Sequence, residues 1–294
     1  MKDRFGRSHI ITLTVLLAAT SSTLASEKGT SGPFVRLKCD EDEQPLALET
    51  AIVRFTDEAQ KLTVDLVGAI HIADKAYYDA LNQRFKTYDA VLYELVARED
   101  ANVPTPGQGS SGFIGGMQVG MKSMLDLDYQ LDCIDYHRKN FVHADMSPEE
   151  FAATMKRRNE TFAGMFFRLL GRSLAEQAED PLGTSDWEVM AALFAPNRSH
   201  RLKVVMAKQF ADLEGQVGVL EGPNGSTIIT ERNGKAVEVL TREIEAGRKK
   251  IAIFYGAGHL PNLQQRLEED FHLKPLETVW LTAWSLKSEK SETE

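Results

Sequence analysis

Two copies of one short phrase constrain this chain more than any other feature. Val67-Gly68-Ala69-Ile70-His71 and Tyr255-Gly256-Ala257-Gly258-His259 each end a β-rich apolar run, residues 62–67 and 251–255. Each is followed by apolar residues at helical spacing. A strand that ends on glycine turns tightly and leaves its end open for a ligand. A histidine three positions on then stands at the C-terminal rim of a sheet, where open α/β sheets hold their ligands. Two matching strand–Gly-x-x-His–helix units predict an α/β fold whose mixed central sheet is built from two related halves. Both histidines are expected to face one cleft.

The rest of the pattern fills in around them. Residues 50–55 and 62–67 flank a polar Thr56-Asp57-Glu58 and predict a β-hairpin. Tyr77, Tyr78, Leu81 and Phe85 recur at helical spacing, and residues 90–93 form a strand ending at Glu94. The result is a parallel strand–helix–strand unit with His71 and Glu94 at its strand ends. Residues 100–116, rich in Gly, Pro and Ser, read as a lid or a linker. A helical insertion over about 115–221 is expected to cap the α/β core. Its patterns cover 162–178, 187–194 and 202–220, with a capping box at Ser147-Pro148-Glu149-Glu150. The second half is expected to start near 226–229, with a helix over about 233–246 that stops at Gly247. The strand 251–255, a helix through Leu263 and Leu267, and a closing strand over 276–286 complete it.

With 294 residues, 43% of them hydrophobic, the chain can bury a full core. A net charge of -9 argues against nucleic acid as the main partner, since phosphate binding needs clustered cations. Lys2, Arg4 and Arg7 precede an apolar segment at 10–19 and the small residues of Thr23-Leu24-Ala25. Residues 1–25 thus read as a cleavable signal peptide, placing the mature protein in the periplasm or outside the cell. A flexible leader over 26–47, a single α/β domain over 48–286 and a polar tail over 287–294 follow. No stable membrane insertion is expected after cleavage. Cys39 and Cys133 are the only cysteines, and either a disulfide or two separate buried thiols suits an oxidising compartment.

Neutral imidazole is the commonest histidine metal ligand, and a carboxylate completes a site suited to zinc, manganese or cobalt. His71, His259 and Glu94 supply that set, Glu94 alternatively being an exposed strand-end carboxylate. His143 and Asp145, two apart after the apolar Phe141-Val142, read as a base with its orienter or a further ligand pair. Alternatively, Asp145 only assists the following helix through its charge. Met117, Met121 and Met124 read as core packing rather than a haem box.

With Thr230-Glu231-Arg232-Asn233 ahead of the second Gly-x-x-His, this ordered set resembles the TraB/Tiki superfamily, in particular its TraB/PrgY/GumN branch. The similarity spans most of 48–286 and is weak in the helical middle. Relatives of that superfamily include Tiki metalloproteases, erythromycin esterases and ChaN-like haem-binding proteins. The resemblance implies that His71 and His259 bind metal or act in catalysis, with Glu94 as ligand or general base. It implies that Arg232 stabilises an oxyanion or orients a carboxylate, where the residues alone equally allow a salt bridge to Glu231 or Glu94. One departure is Leu260-Pro261-Asn262 after the second motif, in place of another glycine. The expected function is an exported metal-dependent hydrolase acting on an amide or ester bond of a peptide or small molecule. In a metal-free variant one histidine is the base on water. The alternative is a non-catalytic protein that holds haem, a peptide or a signal molecule in the same cleft.

Overall fold

The computed structural model of the chain describes residues 34–98, 125–161, 164, 191–192, 194–195, 197–221 (backbone only over 212–221) and 224–287. The signal peptide, the 100–116 segment, the three methionines and most of the helical patterns at 162–178 and 187–194 lie outside these residues.

The chain begins with β1 (Val35–Cys39), β2 (Pro45–Thr56) and β3 (Thr63–Ala69). As the apolar runs predict, β2 and β3 form an antiparallel hairpin, in register from Thr56↔Thr63 to Ile52↔Val67. A two-residue β4 (Ile72–Ala73) leads into α1 (Lys75–Phe85), which buries Tyr77, Tyr78, Leu81 and Phe85. Then come β5 (Ala90–Tyr93), β6 (Asp128–Tyr129), α2 (Gln130–Cys133) and β7 (Phe141–His143). Helix α3 (Pro148–Arg157) opens with both bonds of the expected capping box, Ser147 Oγ to Glu150 N and Glu150 to Ser147 N. After α4 (Arg198–Glu221), the chain forms a π-helical turn (Thr227–Glu231), α5 (Arg232–Glu245) and β8 (Lys250–Gly256). It closes with a 3₁₀ turn (Ala257–His259), α6 (Leu260–Glu269) and β9 (Lys274–Ser285). Gly247, at φ +88°, sits in the left-handed region that ends a helix, as the α5 boundary requires.

The main sheet runs β1-β2-β3-β8-β5-β7, and β9 pairs with β2 off that path. Strands β3, β8, β5 and β7 are mutually parallel, whereas β1, β2 and β9 are antiparallel to their neighbours. One face is covered by α1 and α4, whose Tyr78, Phe85, Leu202 and Val205 share a cluster with Val91 and Phe254 of the sheet. The other face is covered by α5 and α6 through Val239, Leu240, Leu263 and Leu267. The mixed α/β class is as predicted, and β3, β5 and β8 are buried over most of their length, which explains their continuous apolar runs.

In the sheet, β8 of the second Gly-x-x-His unit lies between β3 and β5 of the first. The expected flexible leader over 26–47 needs correction. The leader ends before Val35, since β1 pairs with β2 and Phe34 is fully buried. The alternation of Val35, Leu37 and Cys39 with charged residues is strand-like, and β2 offers it a partner edge. The second half opens with a π-helical turn, because Ser226 caps it through Ile229 N and Gly225 takes a positive φ just before it. The span 115–221, expected as a helical cap, also holds strands: among its described residues are β6 and β7, and β7 joins the main sheet beside β5, while α4 lies directly on that sheet. Cys39 and Cys133 are not joined in a disulfide. Asp65, buried inside β3, is neutralised by a bidentate Arg54 at 2.9 and 3.0 Å and by Tyr88 Oη at 2.6 Å.

Candidate functional site

Parallel pairing places the two motifs at the same rim. Gly68 is opposite Tyr255 and Ala69 opposite Gly256, while Tyr93 is level with Phe254 on one side and His143 on the other. His71, Glu94, His143, Asp145 and His259 therefore all emerge at or just beyond the C-terminal ends of four adjacent strands. The segment bearing His71 is fixed by its alternate carbonyls. Gly68 O accepts from Tyr77 Oη at 2.6 Å, Ile70 O from Tyr78 Oη at 2.9 Å, and Ile72 O from Trp284 Nε1 at 2.7 Å.

At the centre stands Arg232, at the start of α5 and 8% exposed. Its Nε and Nη2 donate to the two oxygens of Asp145 at 2.9 and 2.5 Å, the parallel fork that guanidinium and carboxylate favour. Nη2 also donates to Glu94 Oε1 at 2.7 Å. Nη1 faces His259 Nε2 at 3.5 Å, and Glu94 Oε1 lies 3.5 Å from the same nitrogen. The second oxygen of Glu94 accepts from Gly256 N at 2.7 Å. A Cβ on Gly256 would stand 3.3 Å from that oxygen, so this glycine makes room for Glu94 rather than directly for a ligand. The π-helical turn delivers Arg232 and is itself tied down, because Arg158 bonds Glu231, Asn224 O and Gly225 O. Of the two salt-bridge partners considered for Arg232, Glu94 is bonded and Glu231 is taken by Arg157 and Arg158.

His259 is 6% exposed and edge-on to Tyr255, whose hydroxyl donates to Ala144 O. Its Nδ1 is 2.7 Å from Asn233 Oδ1. Asn233 Nδ2 donates to His259 O and Asn262 Oδ1, both at 3.0 Å, so the amide oxygen is the atom left for the ring. Nδ1 therefore carries the hydrogen and Nε2 the lone pair.

Burial lowers the pKa of His259, with Arg232 and His71 pushing the same way against Glu94 and Asp145. The imidazole is thus neutral near pH 7. Burial acts to raise the Glu94 carboxyl, but His259, Arg232, the Gly256 N–H and His71 overcome it and hold it at about 2. For Arg232 burial is likewise outweighed, by the bonds to Asp145 and the charge of Glu94, and its pKa rises. Glu94 and Asp145 against Arg232 leave one negative charge uncompensated while His259 is neutral.

These shifts predict acid lability. Both folded-state pKa values are depressed, so the unfolded chain takes up protons first and stability falls as pH falls. The loss begins with His259 below about 6.5. It continues through Glu94 as pH drops from 4.5 to about 2. The Glu94 part is on the order of 3 kcal/mol at about 1.36 kcal/mol per pH unit. Urea unfolding at stepped pH measures it. Glu94→Gln flattens the lower part of the profile, and an unchanged profile in that variant contradicts the assignment.

The predicted residues do not all meet. Glu94, Arg232, His259 and Asp145 form one bonded cluster. His71 is near enough to act on the charges of both Glu94 and His259, but it is exposed and bonds Gln130. His143 turns away: its Nε2 is 2.7 Å from Leu95 O, so it is not paired with Asp145. Asp145 is 1% exposed and serves Arg232 and Met146 N. Asn233 and Gln130 were not predicted as site residues. Asn233 had a signal in its place beside Arg232, whereas Gln130 had none.

Among the described residues no three His, Cys, Asp or Glu side chains are grouped to hold a metal ion. His71, His259 and Glu94 do not fit a metal centre as arranged, because both Glu94 oxygens are engaged and the Arg232 guanidinium faces the lone pair a cation would need. Beside Asp145 lies a cavity of about 640 Å³ walled by Arg98, His143, Ser147, Glu149, Glu150 and Lys235. A larger one of about 740 Å³, between α4 and the β1–β2 turn, contains none of the cluster.

In comparisons with protein-family models, curated proteins and solved structures, no match to this chain is found.

Proposed function

We propose that this chain is an exported hydrolase of the TraB/Tiki type, acting on an ester or amide bond with His259 as general base. One observation carries this reading: a buried neutral imidazole, oriented by Asn233, whose Nε2 lone pair lies 3.5 Å from both a carboxylate and a guanidinium. A base used at neutral pH needs a pKa near or below the working pH and an environment that accepts its charged form. The uncompensated negative charge provides that acceptance.

In the step proposed, water attacks the substrate carbonyl carbon while Nε2 takes a water proton. The C=O π bond opens to an oxyanion, which Nη1 of Arg232 faces. The imidazolium then returns its proton to the departing alkoxide or amine as the C–O or C–N bond breaks. Glu94, held at about 2, is a poor base and instead fixes Arg232 and stabilises protonated His259. That assigns the expected general-base role to His259, and no step passes through a metal.

Purified mature protein, stripped with a chelator, is screened against ester, amide and peptide panels with and without Mn, Co or Zn. Turnover in the stripped protein supports the reading. Turnover only with added metal restores the metal-dependent form, and binding of haem or peptide without turnover overturns hydrolysis.

A further inference from the structure

Each of the two histidines is gripped twice by one amide-bearing residue. Asn233 Nδ2 donates to His259 O while its Oδ1 meets the ring Nδ1. Gln130 does the same to His71 with different atoms. Its backbone N–H donates to His71 O at 2.9 Å, and its Oε1 is 3.1 Å from His71 Nδ1. The grips come from unrelated elements. Asn233 is in the first turn of α5, whereas Gln130 follows β6, which pairs with β4 directly after His71 (Ile72↔Tyr129). Gln130 Nε2 is occupied by Tyr136 Oη at 2.8 Å, and the Tyr136 ring is fixed against Tyr93 and Phe141. With the amide in this orientation its oxygen faces the histidine, and an oxygen facing a ring nitrogen requires a hydrogen on it.

We infer that Gln130 is a positioning residue that locks His71 as its Nδ1–H tautomer. Both histidines then present Nε2 lone pairs, one buried at His259 and one exposed at His71. A lone pair cannot donate, so His71 selects a substrate group bearing an N–H or O–H. This substrate clause rests on the hydrolytic reading, whereas the tautomer assignment does not.

The test separates the two. In ¹⁵N-histidine-labelled protein near pH 7.5, long-range ¹H–¹⁵N correlation is expected to show His71 protonated at Nδ1. Gln130→Met, which removes the acceptor, shifts the ring towards the Nε2–H form. Gln130→Glu, which keeps an oxygen there, retains Nδ1–H and controls for folding. Wild-type His71 protonated at Nε2, or a pattern unchanged in Gln130→Met, overturns the assignment. With a substrate from the screen, Gln130→Met raises KM about tenfold, the size of one hydrogen bond. An N- or O-methylated analogue lacks that sensitivity, and equal sensitivity of the two overturns the substrate clause. An Nδ1–H result with no cleavable substrate leaves the positioning role standing and counts against hydrolysis alone.

Discussion

Replacing Arg232 by methionine is expected to destabilise the fold by about 3–5 kcal/mol, because it strands two carboxylates that have no other strong counter-charge in the cluster. Asp145 is fully enclosed, and its remaining bond to Met146 N does not replace a bidentate guanidinium. Methionine keeps most of the volume, so the loss is one of charge and hydrogen bonding rather than of packing. For a domain of this size the penalty corresponds to a fall of roughly 6–20 °C in Tm. Two companion measurements identify the cause. The penalty shrinks in acid as the stranded Glu94 protonates, and adding Glu94→Gln with Asp145→Asn recovers much of it. A loss below about 1 kcal/mol at neutral pH would remove Arg232 from the centre of this arrangement.

His259→Gln is expected to lower kcat/KM for a substrate found in the screen by about 10²–10⁴-fold, the usual contribution of a positioned base. The variant keeps a polar group beside Asn233, so its urea midpoint moves far less than that of Arg232→Met. In the wild type, the acid limb of kcat/KM falls at a midpoint below 6.5, because burial holds the His259 pKa down and activity needs the neutral ring. Asn233→Asp places a carboxylate on Nδ1, stabilises the imidazolium and moves that limb to higher pH. A limb that stays fixed in Asn233→Asp, or full activity in His259→Gln, assigns the base elsewhere.

Particular residues show why some of this was legible in the sequence. The runs before Gly68 and Gly256 and the helical spacing of Tyr77, Tyr78, Leu81 and Phe85 are local patterns, and the elements formed where they stand. Strand order is not local. Nothing within 250–256 states that it will lie between β3 and β5, since any parallel neighbour satisfies its apolar sides. The β-branched Thr227, Ile228 and Ile229 suit a strand. They coil into a π-helical turn because Ser226 caps them and Arg158 anchors the loop from a distant helix. At the site, Glu94, Arg232 and His259 stand out by type and context, whereas the sequence around Asp145 points only to His143 or to the helix that follows. Its true partner, Arg232, lies 87 residues away and reaches it only in the folded chain. Gln130 is one ordinary glutamine after a two-residue strand, and only the β4–β6 pairing gives it meaning.

The place of β8 also bears on how this protein comes into being. Synthesis reaches it after both of its neighbours, so β3 waits as an open edge from Thr63 until its partner Lys250 emerges, and β5 from Ala90 until its partner Ile251 does. Such distant pairing makes for slow folding and leaves edges prone to association in the meantime. It also means that neither Gly-x-x-His half can stand as an independent unit. The rim on which Glu94, Arg232 and His259 meet forms only when the late strand is inserted, so the appearance of that cluster during refolding will report the completion of the sheet.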